Sequence, residues 1–287
     1  MNILKILSHF SQIIPLFFFL VLVKPFPFSI KVKIGSLFFK ILIISIPKLK
    51  KRIKDNISIA FPNMNKKKQK EFIRNFSLNA GKTFTELLHN EEYQKKISLF
   101  NYNKNDLLPI FQAKKEGKPI IIVSGHFGPW ESIRAVLKIN NLETAAIYKK
   151  NSNIFYEKIH LNCIKKGGEP IFPVGLDGTR KMLKYLKNGG IVAVMIDQAV
   201  GNGVKFPFFG KPAKTSTSIA KIAINLNALI IPAFALRKKN DSVDIIFQPP
   251  IKISNVDDMT IELNYRLEMV IRESPVHWYW IHKRWKD

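Results

Sequence analysis

At 287 residues with 46% hydrophobic side chains, the chain is long enough to bury a real core, which excludes a small stapled scaffold and a disordered tail. The single cysteine, Cys163, excludes an intramolecular disulfide and points to a reducing compartment. The six scattered histidines lack zinc-type spacings, so neither a metal site nor a cofactor is expected. The formal charge of +25 directs attention to anionic partners, a membrane surface or a nucleic acid.

Part of that charge is compositional bias, because lysine outnumbers arginine 38 to 8 along the whole chain. Its distribution says more. Residues 1–70 carry fourteen Lys or Arg and one acidic residue, Asp55, interleaved with the most apolar part of the sequence. Basic charge mixed with apolar runs favours an anionic membrane and not a nucleic acid.

From Ile3 to Val23 the sequence is largely apolar, interrupted by Lys5, His9, Gln12 and Pro15. As a helix these residues would extend about 31 Å, enough to cross a bilayer, to tilt within it or to lie at its interface. A cleavable signal peptide is disfavoured, since Lys24-Pro25-Phe26-Pro27-Phe28 offers no small-residue cleavage site. A second run, Ile34 to Ile46, is too short to span and reads as an interfacial helix. The cationic stretch Lys48 to Lys54 after it suits cytoplasmic lipid. Residues 1–50 thus form a membrane-anchoring region, and residues 51–287 one α/β domain whose first part, 51–117, is helical. Within it Phe72, Phe76, Ala80, Phe84 and Leu88 recur every four residues, a core stripe on a helix over 64–89.

Beyond Pro119 apolar strands alternate with amphipathic helices. Strands are predicted near 119–124, 143–148, 169–174, 190–196, 229–236 and 243–248, and helices near 129–140, 153–166, 177–188, 215–226 and 258–273. This pattern predicts an α/β fold, a mostly parallel central sheet with helices on both faces. Near the C-terminus Trp278, Trp280, His282 and Arg284 alternate, predicting an extended tail with one face closing the core.

The chemistry centres on Ile120 to Arg134. Ile120-Ile121-Ile122-Val123 reads as a strand buried on both faces, Ser124-Gly125-His126-Phe127-Gly128 breaks it, and Pro129 opens a helix. His126 therefore falls at the carboxyl edge of the sheet, where α/β folds bind ligands, with Glu131 in the first turn of the helix. A neutral imidazole there can take a proton from a hydroxyl, and Glu131 can hold its tautomer. Spacing alone is weak support: His282 and Asp287 repeat the interval and read as a chance pair.

Six blocks in order carry a resemblance: N-I-S-I-A-F-P at 56–62, S-G-H-F-G-P-W-E at 124–131, A-I-Y-K-K-N at 146–151, G-G-I-V-A-V-M-I-D-Q at 189–198, F-P-F-F-G-K-P-A at 206–213 and W-Y-W-I-H-K-R-W at 278–285. From about residue 35 onward the chain resembles the bacterial lipid A biosynthesis acyltransferases, which add lauroyl or myristoyl chains, within the lysophospholipid-acyltransferase-like superfamily. The resemblance implies an O-acyltransferase at the cytoplasmic face of the inner membrane. It would carry an acyl chain from the thioester of acyl carrier protein to a hydroxyl of a lipid A precursor. His126 would be the general base and Glu131 its partner, with Phe127, Gly128, Trp130, Tyr148, Lys149, Lys150, Asp197 and Gln198 around the acceptor. The oxyanion would meet N–H groups of the Gly125–Gly128 turn or the helix start. One departure stands out: Lys149 occupies the position where the family usually has arginine, keeping the charge but losing two-pronged phosphate recognition. Two rival readings keep other classes open: a lysophospholipid or phosphatidylinositol mannoside acceptor, and a non-catalytic basic protein that binds membrane or nucleic acid.

Overall fold

The computed structural model describes residues 3–285. Four helices come first: α1 (Ile3–Val23), α2 (Phe28–Ser45), α3 (Pro47–Ala60) and α4 (Lys66–Leu88). Pro47 opens α3, where its missing N–H costs nothing, and the Asn65 side chain caps α4 by accepting from the Lys68 N–H at 2.9 Å. The stripe read from the sequence lies inward: Phe72, Phe76 and Ala80 are buried, Phe84 and Leu88 half-buried. α2 and α4 pack backbone to backbone because each contributes a glycine. A Cβ on Gly35 would stand 1.8 Å from Thr85 Oγ1, and one on Gly81 would stand 2.8 Å from the Ser36 Cα.

The alternating part follows as predicted. After α5 (Asn90–Gln94), β1 (Phe100–Asn101) and α6 (Leu108–Lys115) come β2 (Ile120–Ser124), α7 (Glu131–Ile139), β3 (Thr144–Tyr148), α8 (Ile154–Lys166), β4 (Ile171–Pro173), α9 (Leu176–Lys187) and β5 (Ile191–Met195). A hairpin of β6 (Val204–Phe208) and β7 (Lys211–Thr215) leads to α10 (Ser218–Leu226), β8 (Leu229–Arg237), β9 (Val243–Phe247) and α11 (Val256–Glu273). Seven strands form one sheet in the order β1-β9-β8-β2-β5-β3-β4, parallel except where β8 meets β9. All five β2 residues are buried, as its unbroken apolar run requires. Ile120 and Ile122 face a core with α6 and α7, while Ile121 and Val123 face another with α9, α10 and α11, so helices cover both faces.

Three strands lie outside the predicted set. β1 is only two residues long, below any periodic signal. The F-P-F-F-G-K-P-A block lies in a hairpin whose two turn residues, Phe209 and Gly210, have φ of 53° and 68°; this fits a primed turn joining twisted strands.

The helical part is clamped to the sheet by a buried ion pair between Glu86 on α4 and Arg237 at the end of β8. The C-terminal tail closes the core, with Trp278, Trp280 and Arg284 fully buried. Because the α2–α4 contact depends on the absence of side chains, Gly35→Val should destabilise the fold by about 1–3 kcal/mol or more, measured by denaturant unfolding. Unchanged stability would mean that α2 is not seated on α4 in solution.

Candidate active site

Strand order decides which residues meet. β5 is the direct neighbour of β2, paired residue for residue from Ile120–Ile191 to Ser124–Met195, so the chain leaves both strands at the same edge. His126 follows β2 by two residues and Asp197 follows β5 by two. Their side chains meet there: His126 Nδ1 lies 2.8 Å from Asp197 Oδ1. Asp197 is fully buried, and its second oxygen accepts from Trp278 Nε1 at 2.9 Å. A carboxylate only accepts, so Nδ1 carries a proton toward Asp197, and in the neutral ring Nε2 is the basic nitrogen. Burial acts to raise the Asp197 pKa, but it is outweighed by the attraction of His126, hydrogen bonds from its ring and backbone N–H, and the nearby His282. The carboxyl is held well below its ordinary value.

Glu131 does not reach the ring. Sitting in the first turn of α7, it is carried inward and is itself buried; Oε2 accepts from Asn90 Nδ2 at 3.0 Å and from Arg134 Nη1 at 3.2 Å. Arg134, one turn further on, spends its other donors on the carbonyls of Thr144, Ile164 and Gly168. The Lys165-Lys166-Gly167-Gly168 turn makes room, since a Cβ on Gly167 would stand 2.3 Å from Glu131 Oε2. Glu131 thus ties α5, α7 and the end of α8 together, and the carboxylate beside His126 is Asp197. Helical geometry is the reason: a side chain five residues past the histidine, in a new helix, follows that helix's inner face and not the strand edge.

The other expected site residues divide. Trp130 stands beside the histidine, ring centres 5.3 Å apart. Phe127 is fully buried against Phe234 and His277, because its backbone pairs with Trp278, and so lies in the core. Gly128 has φ of 54°, and its N–H donates to the His277 carbonyl at 2.9 Å; a Cβ there would meet the Ala235 oxygen at 1.9 Å. The His126 N–H goes to Asp197 and the Phe127 N–H to the Gly125 carbonyl. The turn's amides from 126 to 128 are therefore committed to partners within the protein. The Tyr148 hydroxyl donates to Glu157 at 2.9 Å, while Lys149 and Lys150 are exposed at the end of β3, two strands from β2. Gln198 is exposed, with its amide nitrogen 3.0 Å from His282 Nε2.

His282, read in the sequence as half of a chance pair, stands at the site: its ring centre is 4.9 Å from that of His126. Asp287 lies outside the described residues. The tail reaches this position because Asn56 of α3 donates to the carbonyls of Trp280 and His282 at 2.7 and 2.6 Å, and Arg284 binds the hairpin through the Lys214 carbonyl and Thr215 Oγ1. Tail residues alternating in burial were the signal, but it spoke for packing and gave no address. Glu157 also binds the Asn151 backbone N–H and side chain, fixing the segment that carries the two lysines. Cys163 is buried, which pushes its thiol up to about 11, so it is no nucleophile.

His126, Asp197 and His282 are the group among the described residues able to hold a metal ion, with ligand atoms within 4.8 Å of one another. Both oxygens of Asp197 are already engaged by His126 and Trp278, an arrangement that suits proton transfer better than ligation. A small, mostly apolar cavity of about 10 Å³ lies beside His126, bordered by Trp130, Tyr279 and the α4 residues Phe76, Ala80 and Phe84.

The site thus sets a histidine, hydrogen-bonded to a buried carboxylate, at the carboxyl edge of a parallel sheet, the place where α/β folds bind ligands. The sequence profile described as bacterial lipid A biosynthesis acyltransferase matches residues 4–287, and the chain belongs to that family. Membership supports acyltransferase activity in lipid A biosynthesis. Comparison with curated proteins gives no match.

Two outcomes test these assignments. Glu131→Ala leaves Arg134 buried without its counter-charge and should cost about 3–5 kcal/mol of stability, read by chemical denaturation. For Asp197, whose folded pKa is depressed, the stabilisation holds above the ordinary carboxylate range and is lost as pH falls toward the folded value. Asp197→Asn should therefore flatten the acid limb of stability against pH; an unaltered limb would contradict the buried charge.

Proposed function

We propose that the protein transfers a fatty acyl chain from the thioester of acyl carrier protein to a hydroxyl of a lipid A precursor, at the cytoplasmic face of the bacterial inner membrane. His126 acts as general base, and Asp197 takes the role that spacing gave to Glu131. The observation that carries the reading is the 2.8 Å contact between His126 Nδ1 and Asp197 in a member of this family.

The acceptor hydroxyl gives its proton to His126 Nε2 as its oxygen attacks the thioester carbonyl, and Asp197 stabilises the imidazolium that forms. Collapse of the tetrahedral intermediate breaks the C–S bond, and the imidazolium returns the proton to the departing thiolate. The developing oxyanion is met by donors near the ring, among them His282, which stands beside it, and the Gln198 amide in contact with His282. No acyl-enzyme is needed, in keeping with the buried Cys163.

The charge of +25 favours both an acidic carrier protein and a phosphorylated acceptor. Lys149 and Lys150, exposed at the end of β3, and Lys205, exposed on β6, are placed to meet phosphate as point charges. α1 and the basic residues after it support membrane association.

Purified protein in detergent micelles, given acyl carrier protein loaded with lauroyl or myristoyl chains and a Kdo-bearing lipid A precursor, should yield a product heavier by one acyl chain in mass spectrometry. His126→Ala and Asp197→Asn should each lower kcat by about 10²- to 10⁴-fold. Preferred transfer to a lysophospholipid or a mannosylated phosphatidylinositol in direct competition would overturn the acceptor assignment. Activity should survive a metal chelator, since no step uses an ion; loss restored by a divalent cation would reassign His126, Asp197 and His282 as ligands.

A further inference from the structure

α1 is the one helix among the described residues long and apolar enough to cross a membrane, by length and composition. Its packing argues for another use. We propose that α1 lies along the bilayer surface instead of crossing it, with its outer face sunk into the acyl chains of one anionic leaflet.

The inward stripe of α1 runs its whole length. Ile6 and Leu16 are half-buried, and His9, Ile13, Phe19 and Val23 are buried, at steps of three or four residues. The body grips both halves. Toward the N-terminal end Asn153, which caps α8, donates to the His9 carbonyl at 2.8 Å, and Phe155 meets Phe10 with ring centres 5.8 Å apart. Toward the other end Phe19 stacks on Phe38 of α2 at 4.9 Å and borders Gly35 in the tight α2–α4 contact. A helix crossing the bilayer in this arrangement would carry the start of α8, with the exposed Lys149 and Lys150 just before it, into hydrocarbon. Crossing after detachment would strip Asn153 of its bonds to α1 and uncover Phe19 and Val23.

The outer side of α1 fits an interface. Leu7, Phe10, Ile14, Phe17, Phe18 and Val21 are exposed on one face, while the exposed Ser8 and Gln12 lie on a flank. α2 continues the pattern with exposed Ile30, Leu37 and Ile41 and an exposed Lys33 beside them, a side chain whose stem can follow the lipid while its ammonium stays at the headgroups. Exposed Lys48, Lys51 and Lys54 on α3 add the charge that commits the face to anionic lipid. With α1 flat, its contact with α8 holds the connection after β3, and so the carboxyl edge of the sheet, near the headgroups. Only that last consequence rests on the acyltransferase reading; the packing of α1 does not.

Full-length protein carrying Cys163→Ala and a single cysteine at Leu7, Ile14 or Val21 is spin-labelled and bound to vesicles of phosphatidylethanolamine and phosphatidylglycerol. Depth is read by collision with oxygen against a water-soluble relaxation agent. The three sites share one face, and Leu7 and Val21 are about 21 Å apart along the axis. We expect all three at one depth within a single leaflet, with Gln12→Cys shallower. A deep Ile14 with shallow Leu7 and Val21 would show a crossing helix and overturn the proposal, as would three labels in water. Acyl transfer is assayed on the same samples: uniform depth without transfer would sink the proposed function and leave the placement of α1 standing.

Discussion

Asp197 is a carboxylate with no access to water, and a buried charge persists only when each oxygen is paired. Its partners come from distant parts of the chain: the histidine that ends β2 and the indole of Trp278, eighty-one residues on. The C-terminal tail must therefore fold back across the sheet edge, and further contacts hold it there, from Asn56 on α3 and, through Arg284, from the β6–β7 hairpin. The first and last blocks of the sequence, 56–62 and 278–285, are joined by these bonds. The imidazole orientation is thus set, without any ligand, by a network that includes the core.

A second buried network supports the first from below. Glu131, Arg134 and Asn90 fasten α7 to α5 and to the end of α8, while Glu86 and Arg237 fasten α4 to β8. α4 is thereby held against the turn that carries His126, and the cavity between them is lined by Phe76, Ala80 and Phe84, whose periodicity in the sequence marked them as core. One stripe serves both purposes: Phe76 and Ala80 are buried, and Phe84, one turn on, is half-buried toward the histidine. The role of Glu131 is architectural, and its short spacing from His126 reflects where a helix must start after a strand.

Local patterns were legible and long-range neighbours were not. The β-branched runs and the four-residue stripe specify strands and a helix because their periods follow from backbone geometry within a few residues. The placement of His126 at the strand edge was readable for the same reason. Strand order is a property of the whole sheet, so nothing near Asp197 announced that β5 lies beside β2 while β3, with Lys149, lies one strand further out. Spacing favoured Glu131 for being near in sequence, and gave His282 only a chance pairing with Asp287. Phe127, which the resemblance set around the acceptor, is sent into the core by alternation in an extended turn.

The pairing of His126 can be read without substrate from proton-detected NMR of protein labelled with ¹⁵N-histidine. A proton on His126 Nδ1, bonded to a buried carboxylate, should resonate far downfield, vanish or shift strongly in Asp197→Asn, and persist in Glu131→Gln. A resonance unchanged by Asp197→Asn, or abolished by Glu131→Gln in a folded protein, would contradict the assignment of Asp197 as the carboxylate that orients the base.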